Sequence, residues 1–189
     1  MRGTSMIELY NGDCRAFLSN YNGEQLLKAA EILKDLKCPF IINQNRYSIF
    51  DRTIEQNGLK EMAVKSGKGI ISFSPLAQGL LTNRYLDGIP KDSRMVTDGR
   101  FIKKEVLTDK RLEQIRALQD LAGERGQSLA EMALSWVLRD GKVTSVLIGA
   151  SKPSQILDNI KAIEKTSFSQ EELTKIEEIY QNNPEYVLR

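Results

Sequence analysis

Phe40-Ile41-Ile42-Asn43-Gln44 and Gly69-Ile70-Ile71-Ser72-Phe73-Ser74 decide the fold of this chain. Each is a short apolar run, of the length of a buried strand, that ends in polar residues. Between them residues 53–66 read as a helix, interrupted at Asn57-Gly58 and stopped by Gly67. Two strands joined through a helix imply a parallel pair, because parallel neighbours need a crossover connection.

The alternation extends both ways. Upstream, Asn22, three residues before Gln25, opens a helix whose Leu26, Ala30 and Leu33 share one face and which ends before Cys38-Pro39. Downstream, residues 75–108 lose periodicity and collect Gly79, Gly88, Pro90 and Gly99, which predicts a long loop. Loops of that length inside a compact domain are usually functional or disordered. Helices resume at Asp109, with Leu112, Ile115 and Leu118 or Leu121 inward, and after Ser128, which forms a capping box with Glu131. The second of these carries Ala130, Ala133, Leu134 and Val137 and stops at Gly141. Residues 143–148 read as a third apolar strand, followed by Gly149 and a helix with Ile156, Ile160 and Ile163 on one stripe. Ser169 and Glu172 cap a last amphipathic helix. The class is α/β with a parallel sheet.

At 189 residues the chain is the size of one domain, and no internal break or strong repeat divides it. A net charge of +2, with both signs interspersed, leaves no footprint for a nucleic-acid backbone. No run of about 18 apolar residues is present to cross a bilayer, so neither nucleic acid nor membrane is expected as a partner and a cytoplasmic location is. The polar opening, Met1 to Met6, lacks the apolar stretch of a secretory signal and reads as an appended leader or an odd translational start. Cys14 and Cys38 lie too far apart for a C-x-x-C site, so reduced thiols are expected and no metal. The chain has no histidine at all. Any mechanism that needs one must borrow it.

A doubly wound dinucleotide fold would show G-x-G-x-x-G after the first strand, and none is present. The near miss, Ser66-Gly67-Lys68-Gly69, precedes a strand and is better explained as a helix stop. Polar residues gather instead where strands end: Ser19-Asn20, Asn43-Gln44, Ser72 and Ser74, Gly149 and Ser151. That is the pattern of a barrel whose ligand groups sit at the carboxyl ends of its strands.

Four ordered blocks, Leu18-Ser19-Asn20-Tyr21, 43–48 (Asn-Gln-Asn-Arg-Tyr-Ser), 73–82 (Phe-Ser-Pro-Leu-Ala-Gln-Gly-Leu-Leu-Thr) and Ile148-Gly149-Ala150-Ser151 with Gln155-x-x-x-Asn159, resemble the aldo-keto reductases. Within that family the likeness is to the branch of bacterial glyceraldehyde-3-phosphate reductases and potassium-channel β-subunits. It runs from about residue 18 to about 180 and corresponds to strands five to eight, the carboxyl-terminal half of a TIM (β/α)8 barrel, with residues 1–17 as an unmatched leader or fusion segment. The Gly, Asp and Arg of 11–18 suit a strand core poorly, so the first of these strands is expected to be frayed or replaced.

The resemblance implies an NADP(H) site. Ser19, Asn20 and Gln44 fall where the family hydrogen-bonds the nicotinamide carboxamide; the alternative is that they merely satisfy strand ends. Phe73 falls where an aromatic ring stacks on the nicotinamide, in place of the more usual Trp or Tyr. Ser74, Pro75, Leu76, Ala77 and Gln78 match the turn around the pyrophosphate. Arg84 and Arg94 match cofactor-flap cations that pair with phosphate, and from them comes the preference for NADP over NAD; the alternative for both is a solvated loop charge. Gly149, Ser151, Gln155, Asp158 and Asn159 resemble the adenosine-phosphate pocket, with Asp158 in place of Glu.

The family reduces aldehydes and ketones with a tyrosine acid helped by a lysine, an aspartate and a histidine, all from strands one to four. None has a match, since Tyr10, Tyr21, Tyr47, Tyr85, Tyr180 and Tyr186 lie outside the catalytic motif. The expectation is a fragment of an NADPH-dependent reductase that keeps cofactor groups, has no catalytic residue, and meets a carbonyl substrate only in the full-length context. The alternative is a non-catalytic nucleotide-sensing or protein-interaction module like the channel β-subunits. Four parallel strands leave two open edges and a bare inner face, so a homo-oligomer or a missing amino-terminal half is the expected partner.

Overall fold

The computed structural model describes residues 16–38, 40–91, 93–97 and 102–184, the side chains of 16, 17, 94 and 97 excepted. Four strands, β1 (Ala16–Ser19), β2 (Phe40–Arg46), β3 (Gly69–Phe73) and β4 (Ser145–Val146), form one parallel sheet in the order β1-β2-β3-β4. A doubly wound sheet reverses its strand order at a switch point. This sheet runs in chain order throughout, as a barrel wall does.

The helices begin where caps are available. Asn22 accepts from the Gln25 amide at 2.9 Å while the Gln25 side chain accepts from the Asn22 amide at 3.0 Å, and α1 (Gly23–Asp35) follows. Gly58, at φ 75°, breaks the next segment into α2 (Thr53–Gln56) and α3 (Leu59–Lys65), where the Asn57-Gly58 pair predicts the break. The short α4 (Arg94–Thr97) lies in the long connection, followed by α5 (Asp109–Glu124) and α6 (Leu129–Leu138), whose Ser128–Glu131 capping box forms as read. After β4 come α7 (Pro153–Ile160) and α8 (Gln170–Gln181), the latter opened by Ser169 with Glu172.

The sheet has two unlike faces. Asn43, Asn45, Ile70 and Ser72 point to the face on which α1, α2, α3 and α6 pack, and all four are buried. The alternate residues Ile42, Gln44, Arg46, Ile71 and Phe73 point to the other face and are only half-buried. The core lies on the helix side and joins Leu26, Ile70, Leu118, Met132 and Trp136 in one cluster. Each such side chain contributes roughly 1.5–3 kcal/mol by leaving water. Gly23 lets α1 approach α3 closely: a Cβ there would stand 2.9 Å from the backbone carbon and oxygen of Gly58.

Three expectations need correction. Residues 143–148 yield a strand of only two residues, β4, whose one neighbour among the described residues is β3; the bonds from Thr144 N to Ile70 O and from Leu147 N to Ser72 O bracket it. The stripe of Ile156, Ile160 and Ile163 stays exposed, at 47%, 52% and 70%, because no described strand lies beneath it. The 75–108 connection is irregular but anchored, since its Leu80, Leu81, Tyr85, Met95 and Ile102 are buried in the core. Cys38 is a buried thiol. The reading of residues 1–17 and of Cys14 lies outside the described structure, apart from the backbone of Ala16 and Phe17 in β1.

Candidate functional site

Parallel strands in chain order bring four carboxyl ends to one rim, and the register says which predicted residues meet there. Ser19 pairs with Gln44, Gln44 with Ile71 and Ile71 with Ser145, one row across the half-exposed face. One row nearer the rim Arg46 pairs with Phe73. Asn20 closes the row: its amide donates to the Gln44 carbonyl at 2.9 Å and its Nδ2 to Ser19 Oγ at 3.3 Å. Three residues 25 positions or more apart thus present hydroxyl, amide and aromatic ring on one surface. Hydroxyls and carboxamides there can pair with a planar amide, and a ring can stack on it.

Backbone strain concentrates on the same rim. Of five described non-glycine residues with positive φ, four are Asn20 at 60°, Ser74 at 52°, Ala77 at 49° and Gln78 at 58°. Such conformations cost roughly 1–2 kcal/mol each for a residue with a Cβ, and they collect where ligands are held. In the turn after β3, Ala77 N donates to Ser74 O at 2.9 Å and Gln78 Nε2 to Ser74 Oγ at 3.0 Å, while Pro75 and Ala77 are buried and Leu76 is half-buried.

At the start of α7 the geometry is that of an anion cradle with an internal occupant. The amides of Ser151 and Lys152 and the Ser151 hydroxyl all donate to Gln155 Oε1, at 2.8, 3.1 and 3.2 Å. Free amides at a helix start favour negative charge; here a side-chain oxygen fills that role. Gly149 and Ser151 are exposed, Asp158 is exposed and ion-paired with Lys161 at 2.9 Å, and Asn159 is buried. Arg84 is half-buried in a turn capped by Thr82, and Arg94 stands on α4, its side chain outside the described set. Two surface hollows are lined elsewhere, one by Lys110, Gln114 and Ile179 between α5 and α8, the other by Asp51, Arg52 and Tyr180; neither contains a predicted site residue. The predicted residues at the strand ends, Ser19, Gln44 and Phe73, lie on a half-exposed face. Among the described residues no group of three or more His, Cys, Asp or Glu could hold a metal ion, and no helix is long and apolar enough to cross a membrane.

Two features escape sequence reading. Arg46 stands on the open face with its guanidinium 5.9 Å from the Phe73 ring centre and 3.7 Å from the Asp51 carboxylate. Behind the sheet, Tyr47 hydrogen-bonds to Glu55 and accepts from Lys60 Nζ at 3.0 Å and Arg139 Nη1 at 2.9 Å, and Lys60 reaches Asp140 at 2.9 Å. Burial, above all, pushes the Tyr47 phenol far up, so it stays protonated. Burial would also raise Glu55, but its bond from Tyr47 and the charges of Lys60 and Arg139 outweigh that and hold the carboxyl below its usual value. Asp140 is likewise held low, its burial outweighed by Lys60. This cluster ties β2 to α3 and α6; Tyr47 is fully buried and does not reach the open face.

Comparison with known proteins gives the geometry its context. L-glyceraldehyde 3-phosphate reductase of Escherichia coli (strain K12) is 44% identical over 164 residues, which are 85% of this chain and 47% of that protein. A probable voltage-gated potassium channel subunit beta of Oryza sativa subsp. japonica is 33% identical over 171 residues, 88% of this chain and 52% of the relative. The chain spans about half the length of the curated relatives it matches. A thermostable aldo-keto reductase, crystallised with the inhibitor epalrestat, superposes with a TM-score of 0.61 over 85% of this chain and 46% of its own, at 23% identity, which bears on the fold alone. The profile of the aldo/keto reductase family matches residues 8–181. The chain therefore belongs to the aldo/keto reductase family.

Proposed function

We propose that this chain is the nicotinamide-dinucleotide-binding half of an aldo-keto reductase barrel, corresponding to strands five to eight, and that it binds NADP(H) without reducing a carbonyl by itself. The observation that carries the reading is the alignment of Ser19 and Gln44 in one register row, with Phe73 one row nearer the rim and the strained Asn20 and Ser74–Gln78 backbone beside them. The residues fit the cofactor: Ser19, Asn20 and Gln44 would hold the carboxamide, Phe73 the ring face, the Ser74–Gln78 turn the pyrophosphate and the start of α7 the adenosine phosphate. At that last place Gln155 Oε1 already receives three donors, as a phosphate oxygen would. When bound, the cofactor supplies hydride. The chain's own residues orient it. Arg84 and Arg94 favour the extra phosphate of NADP over NAD, because guanidinium and phosphate match in charge and geometry.

Tyr47, the tyrosine of the polar cluster, is sealed behind the sheet and does not reach the open face. Carbonyl reduction on this reading needs a proton donor from other residues, and a cytoplasmic location accompanies it. Titrating the chain with NADPH while following nucleotide fluorescence tests the reading. Saturable binding is expected, weaker with NADH and about tenfold weaker in Gln44→Ala, as the loss of one hydrogen bond worth about 1.4 kcal/mol implies. A folded chain that binds no NADPH at millimolar concentration overturns it. The relatives named as channel subunits favour a second reading, a non-catalytic sensing or interaction module. Carbonyl reductase activity restored by an added amino-terminal barrel half would exclude that second reading.

A further inference from the structure

We propose that two copies of this chain close one eight-stranded barrel about a two-fold axis along the barrel, with β4 of each copy pairing in parallel with β1 of the other. The sheet ends, among the described residues, in two parallel edges, β1 and β4. A two-fold rotation about an axis along the strands leaves strand direction unchanged, so it joins β4 to a second β1 with the parallel sense the sheet already has. An axis across the strands would reverse that sense. The operation joins the two seams at once and leaves no free edge.

The apolar surface lies where this arrangement requires it. In a right-handed crossover each helix packs back over its own strand and the next one. α1 and α3 have a next strand and bury Leu26, Leu33, Leu59 and Ala63. α7 follows β4, beyond which no strand stands among the described residues. Its Ile156 and Ile160, with Leu147 before it and Ile163 after it, are 45–70% exposed. At the opposite end of the row, Ile32 and Leu36, one helical turn apart on the last turn of α1 and its cap, are 59% and 68% exposed. Uncovered apolar residues thus stand at both ends of the sheet, where a neighbouring element would cover them. A second copy brings the strand that α7 lacks, and its own sheet becomes the far wall in front of Gln44, Arg46 and Phe73. The candidate site, open in one copy, is enclosed only in the pair.

The test uses the full chain without nucleotide, so its outcome is separate from that of the cofactor reading. Light scattering on a sizing column should give twice the chain mass. Ile160→Glu, a surface change in one copy and a buried unpaired carboxylate at the seam, should weaken the dimer by roughly a hundredfold. Val64→Glu, on α3 in the middle of the wall at similar exposure (49%), should leave it intact. Circular dichroism should show the helix content of both variants unchanged. A folded monomer at high micromolar concentration, an open series of larger oligomers, or a dimer lost with Val64→Glu and kept with Ile160→Glu would each overturn the proposal.

Discussion

Replacing Glu55 by Gln probes the charged cluster behind the sheet with the least change of shape. Glu55 accepts from the Tyr47 hydroxyl and holds Arg139 Nη2 at 2.9 Å and Lys60 Nζ at 3.4 Å. Lys60 keeps Asp140, but Arg139, with a side chain 15% exposed, loses its carboxylate. A hydrogen bond to a charged group is worth about 1.5–3 kcal/mol net. The amide retains one acceptor, and Glu55 is 28% exposed, so water screens part of the loss. The expected cost is about 2 kcal/mol at neutral pH. At roughly 2–4 °C per kcal/mol for a chain of this size, Tm falls by about 4–8 °C. The pH dependence has a definite sign. Glu55 titrates lower in the folded chain than in the unfolded one, so its contribution is complete above the ordinary carboxylate value and is lost as pH falls through the depressed one. Urea unfolding of both proteins at pH 7 and pH 3 should therefore show a gap that narrows in acid. A gap below about 0.5 kcal/mol at pH 7, inside the scatter of ordinary surface substitutions, or one of the same size at both pH values, would refute this account.

Two further changes address the helix that positions Ser19 and Asn20. Gly23→Ala drives a Cβ to 2.9 Å from the Gly58 backbone and should cost about 1–3 kcal/mol, read as a lower urea midpoint at unchanged slope. Asn22→Ala removes the cap of α1 and should cost about 1 kcal/mol; no change in midpoint would mean that the Gln25 amide finds another acceptor.

Caps, breaks and the alternation of strands with helices were legible in residues that act on their neighbours. Asn22, Gly58, Ser128 and Ser169 work within three or four positions of themselves, and each stands where its chemistry predicts. Ser19, Gln44 and Phe73 were legible as a group only through the resemblance, since nothing local says that residues so far apart share a row. The Tyr47, Glu55, Lys60 and Arg139 cluster was not legible, because Arg139 lies 92 positions from the hydroxyl it touches. The stripe of Ile156, Ile160 and Ile163 was read correctly as apolar and helical, yet its direction could not be read. Periodicity tells which residues share a face, and only neighbouring strands tell whether that face is covered.

By itself the sequence determined the α/β class, the helix starts, the polar strand ends and, through four ordered motifs, the aldo/keto reductase family. Tertiary structure fixed the strand pairing itself, in chain order, and which face of the sheet is buried and which half-exposed. Register brought Ser19, Gln44 and Phe73 to one rim with Arg46 beside them, and folding sealed Tyr47 away behind it. The division has a physical cause. Caps, turns and periodicity act through bonds a few residues long, whereas face, register and burial depend on which distant segments pack together.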